Sequence, residues 1–159
     1  MLHTVGISEM RISGNRDDDI ITYSLGSCVG VTLYDPVVHI GGLVHCMLPT
    51  SSIDPERARQ NPMMFTDTGV VALIQTLLNA GCEKRRLVAK IAGAARLLND
   101  AGTFRIGDRN HIVLRKVLWK NSILIAAEDM GGSIARTVTL NIGSGQVNVR
   151  AAGRHYELV

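Results

Sequence analysis

The stretch TYSLGSCVGVTLYDP, residues 22–36, places a cysteine directly after a turn signal between two apolar runs. The thiol of Cys28 attacks a carbonyl well only as a thiolate, and because its ordinary pKa is about 8.5 it needs a neighbouring base. The oxyanion that forms during such an attack needs N–H donors. Gly26 and Ser27 let the backbone turn sharply and present N–H groups beside the sulfur. The stretch therefore predicts a nucleophile and its oxyanion donors together.

His45 is the candidate base for this thiol. If the strands that contain Cys28 and His45 form an antiparallel hairpin turning at Pro36-Val37, paired residue numbers add to 73 and the two residues lie opposite each other on one face. Pro36 cannot adopt the positive φ of two-residue hairpin turns, so a longer loop with a shifted register is the alternative. A shift of one residue would put the two side chains on opposite faces.

Structural roles compete with these chemical ones. A cysteine in an apolar strand is often a small core residue, and this alternative stays open for Cys28 and is the prediction for Cys46 and Cys82. His45, flanked by apolar residues, has a core histidine as its alternative. A zinc site from Cys28, His45 and Cys46 is disfavoured because no Cys-x-x-Cys or His-x-x-x-His spacing occurs with them. We expect the remaining histidines to be solvated surface residues; these are His3, His39, His111 and His155.

Composition narrows the class of protein. The 159 residues are 46% hydrophobic and 19% charged, with a formal net charge of +3, which indicates a globular chain and is too weak a charge to predict nucleic-acid binding. The N-terminus lacks the pattern of a signal peptide, and no apolar run approaches the roughly 20 residues of a membrane span. Three cysteines without framework spacing favour a reducing compartment. We therefore expect a cytoplasmic protein without membrane insertion.

The hydrophobic pattern predicts a strand-rich chain with two long helices. The apolar stripe over TDTGVVALIQTLLNAG, residues 66–81, predicts a helix capped by Thr66 or Asp67 and stopped by Gly81. A second helix is predicted over residues 106–121, with Asp108 as its cap. Strands are predicted at 5–13, 19–25, 28–35, 39–49, 85–93, 122–129, 136–142 and 146–152, with a loop at 50–64, a small-residue turn at 93–102 and a hairpin turn at Gly143-Ser144-Gly145.

Amphipathic helices must bury their apolar faces against sheet, so these elements predict an α/β or α+β layered sandwich. The helix contacts are expected from Val70, Leu73, Ile74, Leu77 and Leu78 and from Ile112, Leu114, Val117 and Leu118. No low-complexity linker divides the chain, so we expect a single domain over residues 1–159.

The combination of TYSLGSCVGVTLYDP, GGLVHCMLP, AKIAGAA, IGDRN, AEDMGGSIARTV and NIGSGQVNVR resembles the chemoreceptor glutamine deamidase CheD family, in the same order over nearly the whole chain. The resemblance implies a thiol hydrolase in which Cys28 is the nucleophile, His45 the base and Thr22 the residue that orients the histidine. It implies no metal or organic cofactor. It also implies a layered α/β fold related to bacterial toxins that deamidate host proteins.

The resemblance also implies partners, namely the helical cytoplasmic bundle of a chemoreceptor as substrate and a CheC-like phosphatase that occupies the site as a substrate mimic. Three alternatives stay open for the function. One is a non-catalytic adaptor that binds receptors or the phosphatase, another is transglutamination, and the third is hydrolysis of receptor methyl esters at the same thiol. The sequence selects neither the receptor nor the glutamine.

Overall fold

Strands dominate the chain, as the pattern predicts. The computed structural model describes residues 1–96 and 105–159, and within them ten strands and three helices occur. The strands are β1 (Leu2–Thr4), β2 (Met10–Ser13), β3 (Asp19–Leu25), β4 (Val29–Asp35), β5 (Ile40–Cys46), β6 (Val88–Gly93), β7 (Ile125–Met130), β8 (Arg136–Asn141), β9 (Val147–Ala151) and β10 (Arg154–Glu157), and the helices are α1 (Pro55–Gln60), α2 (Thr66–Asn79) and α3 (Ile106–Lys120).

The strands form two five-stranded sheets. The first sheet has the order β1-β3-β8-β9-β10, and the second has the order β2-β5-β4-β6-β7. Pairing is antiparallel except between β1 and β3 and between β6 and β7. Consecutive strands β3 and β4 belong to different sheets, so the chain passes from one sheet to the other between Leu25 and Val29.

Two cores give the molecule its layers. Because side chains alternate along a strand, β4 sends Val29, Val31 and Leu33 to one face of the second sheet and Tyr34 to the other. The first face packs against α2 and α3, and the second packs against the first sheet. The predicted layered α/β arrangement is confirmed, with the helices covering one sheet and the second core lying between the sheets.

The strand predictions differ in accuracy. Strand β3 has the predicted bounds, and β8 and β9 are joined at Gly143-Ser144-Gly145 as expected. The predicted strand at 5–13 is wrong in its first half, because only Met10–Ser13 pairs with β5. Strands β1 and β10 were not predicted; both are short, with few buried side chains to give a periodic signal.

The predicted loop at 50–64 is wrong for α1. The Asp54 carboxylate accepts a hydrogen bond from the Arg57 N–H, and Pro55 occupies the first turn, where its missing N–H costs nothing. Asp-Pro at this point is a helix-start signal that the polar composition of the segment obscured. Part of the predicted turn at 93–102 lies outside the described residues.

The predicted caps of the two long helices are wrong. Helix α2 begins after Phe65 without a side-chain cap, and Asp67 instead accepts hydrogen bonds from the N–H and hydroxyl of Ser51. Helix α3 begins after Arg105, and Asp108 forms an ion pair with Arg96. In each case a tertiary partner takes the carboxylate that local sequence would assign to a cap.

The apolar stripes are confirmed with one exception. Val70, Leu73, Ile74 and Leu77 of α2 and Leu114 and Leu118 of α3 are buried in the core, and Leu78 and Val117 pack at its margin. Ile112 is 67% exposed, so its predicted core contact is wrong. No helix within the described ranges combines the length and apolar character that crossing a membrane requires.

Gly93 lets β6 approach the turn that carries Cys28. Its φ is +118°, and a Cβ there would lie 2.3 Å from the Cys28 carbonyl oxygen. Gly81 has a similar φ of +108° with open space around it. Gly93→Ala should therefore lower the free energy of unfolding by about 1–3 kcal/mol more than Gly81→Ala, measured by urea denaturation. Equal losses for the two variants would contradict the close approach.

Candidate active site

Cys28 lies on the three-residue connection between the two sheets. Residues 26–28 are non-helical bends that link β3 of the first sheet to β4 of the second. The Cys28 side chain is partly buried and packs at the margin of the core between the sheets. The sequence predicted a cysteine directly after a turn. The structure places Cys28 at the point where the chain passes from one sheet to the other.

A β-bulge in β3 aims the residues before this connection. Thr22 pairs with Val138 and Leu25 pairs with Arg136, so three steps on β3 match two on β8. The irregularity includes Ser24, whose φ is +55°. The extra residue lets both Thr22 and Leu25 point into the core, although a regular strand would send them to opposite faces.

The predicted pairing of Cys28 with His45 is wrong by two residues. The connection between β4 and β5 has four residues, not two, so Asp35 pairs with Ile40 and Gly30 lies opposite His45. Paired numbers add to 75 rather than 73. A shift of two preserves the face, because side chains alternate with period two. Cys28 therefore becomes a diagonal rather than a direct neighbour of His45, on the same side of the second sheet.

The other cysteines have structural roles, as predicted. Cys46 follows His45 and so faces the helices, where its sulfur occupies the space that a Cβ on Gly69 would enter. Cys82 is buried in the same core. Since Cys46 and His45 point to opposite faces, they do not converge with Cys28 on a metal ion. Within the described residues, no group of three or more His, Cys, Asp and Glu side chains is arranged to hold one.

Thr22 contacts the imidazole of His45 across the interface between the sheets. Its Oγ1 lies 2.8 Å from the Val5 carbonyl oxygen and 2.7 Å from His45 Nδ1. A carbonyl can only accept, so the single hydroxyl proton goes to Val5, and the hydroxyl oxygen accepts from Nδ1–H. This network assigns the proton of neutral His45 to Nδ1 and leaves the Nε2 lone pair free for a proton.

His45 is held through its backbone as well. The Ser8 N–H donates to the His45 carbonyl over 2.9 Å, and the His45 N–H donates to the Glu9 carbonyl over 3.0 Å. The segment that carries Ser8 and Glu9 also carries Val5, the partner of Thr22. No pattern of residue types could have revealed Val5, because its contribution is a backbone oxygen.

Burial makes both members of the thiol–imidazole pair neutral at rest. It lowers the pKa of His45 to about 4, and Nε2 has no hydrogen-bond partner. Burial likewise raises the pKa of the Cys28 thiol, with its own backbone N–H opposing this more weakly. No hydrogen bond joins the Cys28 sulfur to Nε2 within the described structure. The arrangement fits a general base that takes the thiol proton during attack, not a preformed thiolate–imidazolium pair.

The carbonyl groups and the N–H groups of the connection differ in their hydrogen bonding. The carbonyl oxygens of Gly26 and Cys28 accept from Ala95 and Ala94. Among the described residues, none accepts a hydrogen bond from the N–H of Ser27 or from that of Cys28 except the Cys28 sulfur itself. These N–H groups are next to the Cys28 sulfur along the chain, and their role as oxyanion donors stays a prediction.

Sequence comparison with known proteins shows which family the chain belongs to. The family model described as CheD chemotactic sensory transduction matches residues 47–151. A protein of Solibacter usitatus named "Probable chemoreceptor glutamine deamidase CheD" is 46% identical over 98% of this chain and 92% of its own length. The chain belongs to the CheD family. Similarly named family members from Syntrophus aciditrophicus and Symbiobacterium thermophilum are 46% and 45% identical over 94% and 96% of this chain, and over 93% and 94% of their own lengths.

The tautomer of His45 can be tested directly. In ¹⁵N-labelled protein at pH 7, NMR correlations of the imidazole should show the proton on Nδ1. Thr22→Val removes the acceptor and should yield a mixture of tautomers, whereas Thr22→Ser keeps the hydroxyl and should preserve the Nδ1–H form. A wild-type imidazole protonated on Nε2 would contradict the assignment.

The low pKa of His45 also predicts a pH dependence of stability. The unfolded chain, with an ordinary histidine pKa of about 6.5, binds the proton before the folded chain does, so stability is lost as pH falls from 7 toward 4. The asparagine of His45→Asn does not titrate in this range. Between pH 7 and 4.5, the free energy of unfolding of wild type should therefore fall by about 2–3 kcal/mol more than that of His45→Asn. Urea unfolding at the two pH values measures this, and parallel losses would rule out a depressed pKa.

Proposed function

We propose that this protein is a cytoplasmic cysteine hydrolase that deamidates glutamine side chains of chemoreceptors, converting them to glutamate. The observation that carries the proposal is the buried imidazole of His45, which donates from Nδ1 to Thr22 and keeps Nε2 free on the face that Cys28 shares. This geometry suits acyl transfer in general. The names of the relatives supply the amide substrate and the chemoreceptor.

The first half of the proposed reaction forms a thioester. Nε2 of His45 takes the Cys28 proton as the sulfur attacks the glutamine carboxamide carbon, and the tetrahedral intermediate then expels ammonia, which takes its proton from the imidazolium. Thr22 stabilises that imidazolium by accepting from Nδ1–H. The structure has no hydrogen bond between sulfur and Nε2, and such contacts commonly tighten only when substrate binds.

The second half releases glutamate. His45, neutral again, takes a proton from water as the water oxygen attacks the thioester carbon. Collapse of this second intermediate breaks the carbon–sulfur bond, and the imidazolium returns its proton to the Cys28 sulfur. The net reaction consumes one water, releases one ammonia and replaces a neutral amide by a carboxylate.

The connection 26–28 is the proposed oxyanion site. Its N–H groups, from Gly26, Ser27 and Cys28, are the donors adjacent to the sulfur, and hydrogen bonds to a charged oxygen strengthen in a site that excludes water. With thiol and imidazole both neutral at rest, charge develops only as the reaction proceeds. N–H donors that are already in position are therefore most effective when the negative charge forms on the oxygen.

The substrate in this proposal is the helical cytoplasmic bundle of a chemoreceptor. Each conversion adds a negative charge to the bundle and so shifts its signalling equilibrium electrostatically. The protein's net charge of +3 suits an acidic protein surface. A CheC-like phosphatase that mimics the substrate at the same site is the proposed regulatory partner.

We also propose that residues 1–159 form one domain and that its fold is related to the catalytic domains of deamidating toxins. Val5 and Leu158, near opposite ends of the chain, belong to the same core between the sheets, which supports a single folding unit. The connection that carries Cys28 from one sheet to the other is the feature to compare with the structures of those toxins.

The proposal is tested with a purified chemoreceptor cytoplasmic fragment. Wild type should release ammonia and produce the mass change of glutamine-to-glutamate conversion at specific sites. Cys28→Ala should lower that rate by roughly 10³-fold or more because it removes the nucleophile. Cys82→Ala, which removes a buried cysteine of the other core, should retain the rate within a few fold.

The same assay separates the alternatives. Wild type that binds the fragment and leaves every glutamine unchanged would identify an adaptor. Added amine that becomes linked to glutamine in place of water would identify transglutamination. Methanol released from a methylated fragment by wild type, and not by Cys28→Ala, would identify a methylesterase activity of the same thiol.

A further inference from the structure

The three carbonyl groups of the connection 26–28 are all held, and they are held in different ways. Those of Gly26 and Cys28 accept from backbone N–H groups of the segment after β6, over 2.9 and 2.8 Å. The Ser27 carbonyl accepts from the side chain of Asn110, with 2.9 Å between Nδ2 and oxygen. Of these three carbonyl groups, only that of Ser27 is held by a side chain within the described structure. It belongs to the peptide that joins Ser27 to Cys28.

Asn110 is well placed to hold that peptide rigidly. It is fully buried near the start of α3, and the second proton of Nδ2 goes to the Met47 carbonyl over 3.1 Å. Two carbonyl groups can only accept, so they fix which end of the amide is nitrogen. Its oxygen lies 3.4 Å from the Thr66 hydroxyl, whose single proton also has the closer Leu48 carbonyl oxygen as an acceptor at 3.1 Å, so this is the weakest of the three contacts.

Asn110 therefore connects both halves of the candidate site. Ser27 precedes the nucleophile by one residue, and Met47 follows the base by two. A single buried amide holds the chain beside Cys28 and the chain beside His45 against the same helix. Asn110 lies in the IGDRN motif, and the local sequence pattern predicts no role for it.

The direction of the Cys28 N–H follows from this contact. In a planar trans peptide the C=O and N–H bonds point in opposite directions. Because the Ser27 oxygen points to Asn110, the Cys28 N–H points away from Asn110. In the described structure this N–H meets no acceptor from another residue.

We propose that Asn110 is a positioning residue, which fixes the Ser27–Cys28 peptide so that the Cys28 N–H is aimed at the oxyanion of the tetrahedral intermediate. The inference rests on the proposed acyl-transfer function and requires no particular substrate. Asn110 itself has no spare donor for the oxyanion, since both Nδ2 protons are directed to backbone carbonyls.

Two chemical probes of Cys28 isolate this role. Acylation by p-nitrophenyl acetate passes through a tetrahedral oxyanion and needs the N–H donor, whereas alkylation by iodoacetamide is a displacement at saturated carbon and does not. Both depend equally on access to the thiol and on its ionisation. The ratio of the two rates therefore reports on the oxyanion donor, and rates from Cys28→Ala supply the background.

Asn110→Ala and Asn110→Asp both remove the amide donors. The alanine variant leaves a cavity, whereas the aspartate variant keeps the side-chain volume nearly constant. Each should slow acylation about 10–100-fold while alkylation changes less than about 3-fold. Asn121→Ala, which removes a partly buried hydrogen bond from a side-chain amide to the Val117 carbonyl at the other end of α3, should leave both rates near those of wild type. Circular dichroism confirms that a variant is folded, and either folded variant suffices for the test.

An unchanged ratio in a folded Asn110 variant would overturn the inference, whether both rates persist or both fall together. Deamidation of the chemoreceptor fragment is measured in parallel, and its kcat should fall with acylation while KM stays similar. If wild type fails to deamidate while the acylation-to-alkylation ratio still depends on Asn110, the proposed substrate is wrong and the positioning role stands.

Discussion

The hydrogen bond between Thr22 and His45 is the interaction on which the site depends. It joins β3 of the first sheet to β5 of the second inside the core between them, so its geometry requires both sheets to pack in one arrangement. Thr22 faces inward by regular alternation with Ile20, the bulge that follows brings Leu25 to the same face, and the Val5 carbonyl takes the hydroxyl proton of Thr22. A buried hydrogen bond with no water to replace it is costly to break, which ties the orientation of the base to the packing of the whole fold.

Burial determines the charge states of Cys28 and His45 in the candidate site. The same burial that lowers the pKa of His45 raises the pKa of Cys28, so neither group carries charge before substrate arrives. A neutral pair avoids the cost of a buried ion pair in the resting protein. In the proposed reaction, the oriented peptides of residues 26–28 then meet the charge where it develops, which would connect the held carbonyls of the turn to the chemistry of the sulfur.

Sequence patterns predicted the parts of this site that local chemistry determines. The cysteine after Gly-Ser and the histidine on the next strand could be predicted from the sequence. The predicted strand register was wrong by two residues, but the predicted face was still correct because side chains alternate with period two. Thr22 came from family resemblance alone, since its contact with His45 depends on how the two sheets pack, which leaves no signature in local sequence. Asn110 is 83 residues from the carbonyl it holds, and such a long-range contact has no local signal.

Residues 1–13 supply one of the two edge strands of each sheet, β1 in the first and β2 in the second. They also carry the carbonyl of Val5 and both backbone partners of His45. Edge segments open at a lower free energy than the central strands do. Opening of this segment alone would leave the remaining sheets folded and the base without its supports. A local opening of these thirteen residues would therefore inactivate the site without global unfolding of the chain.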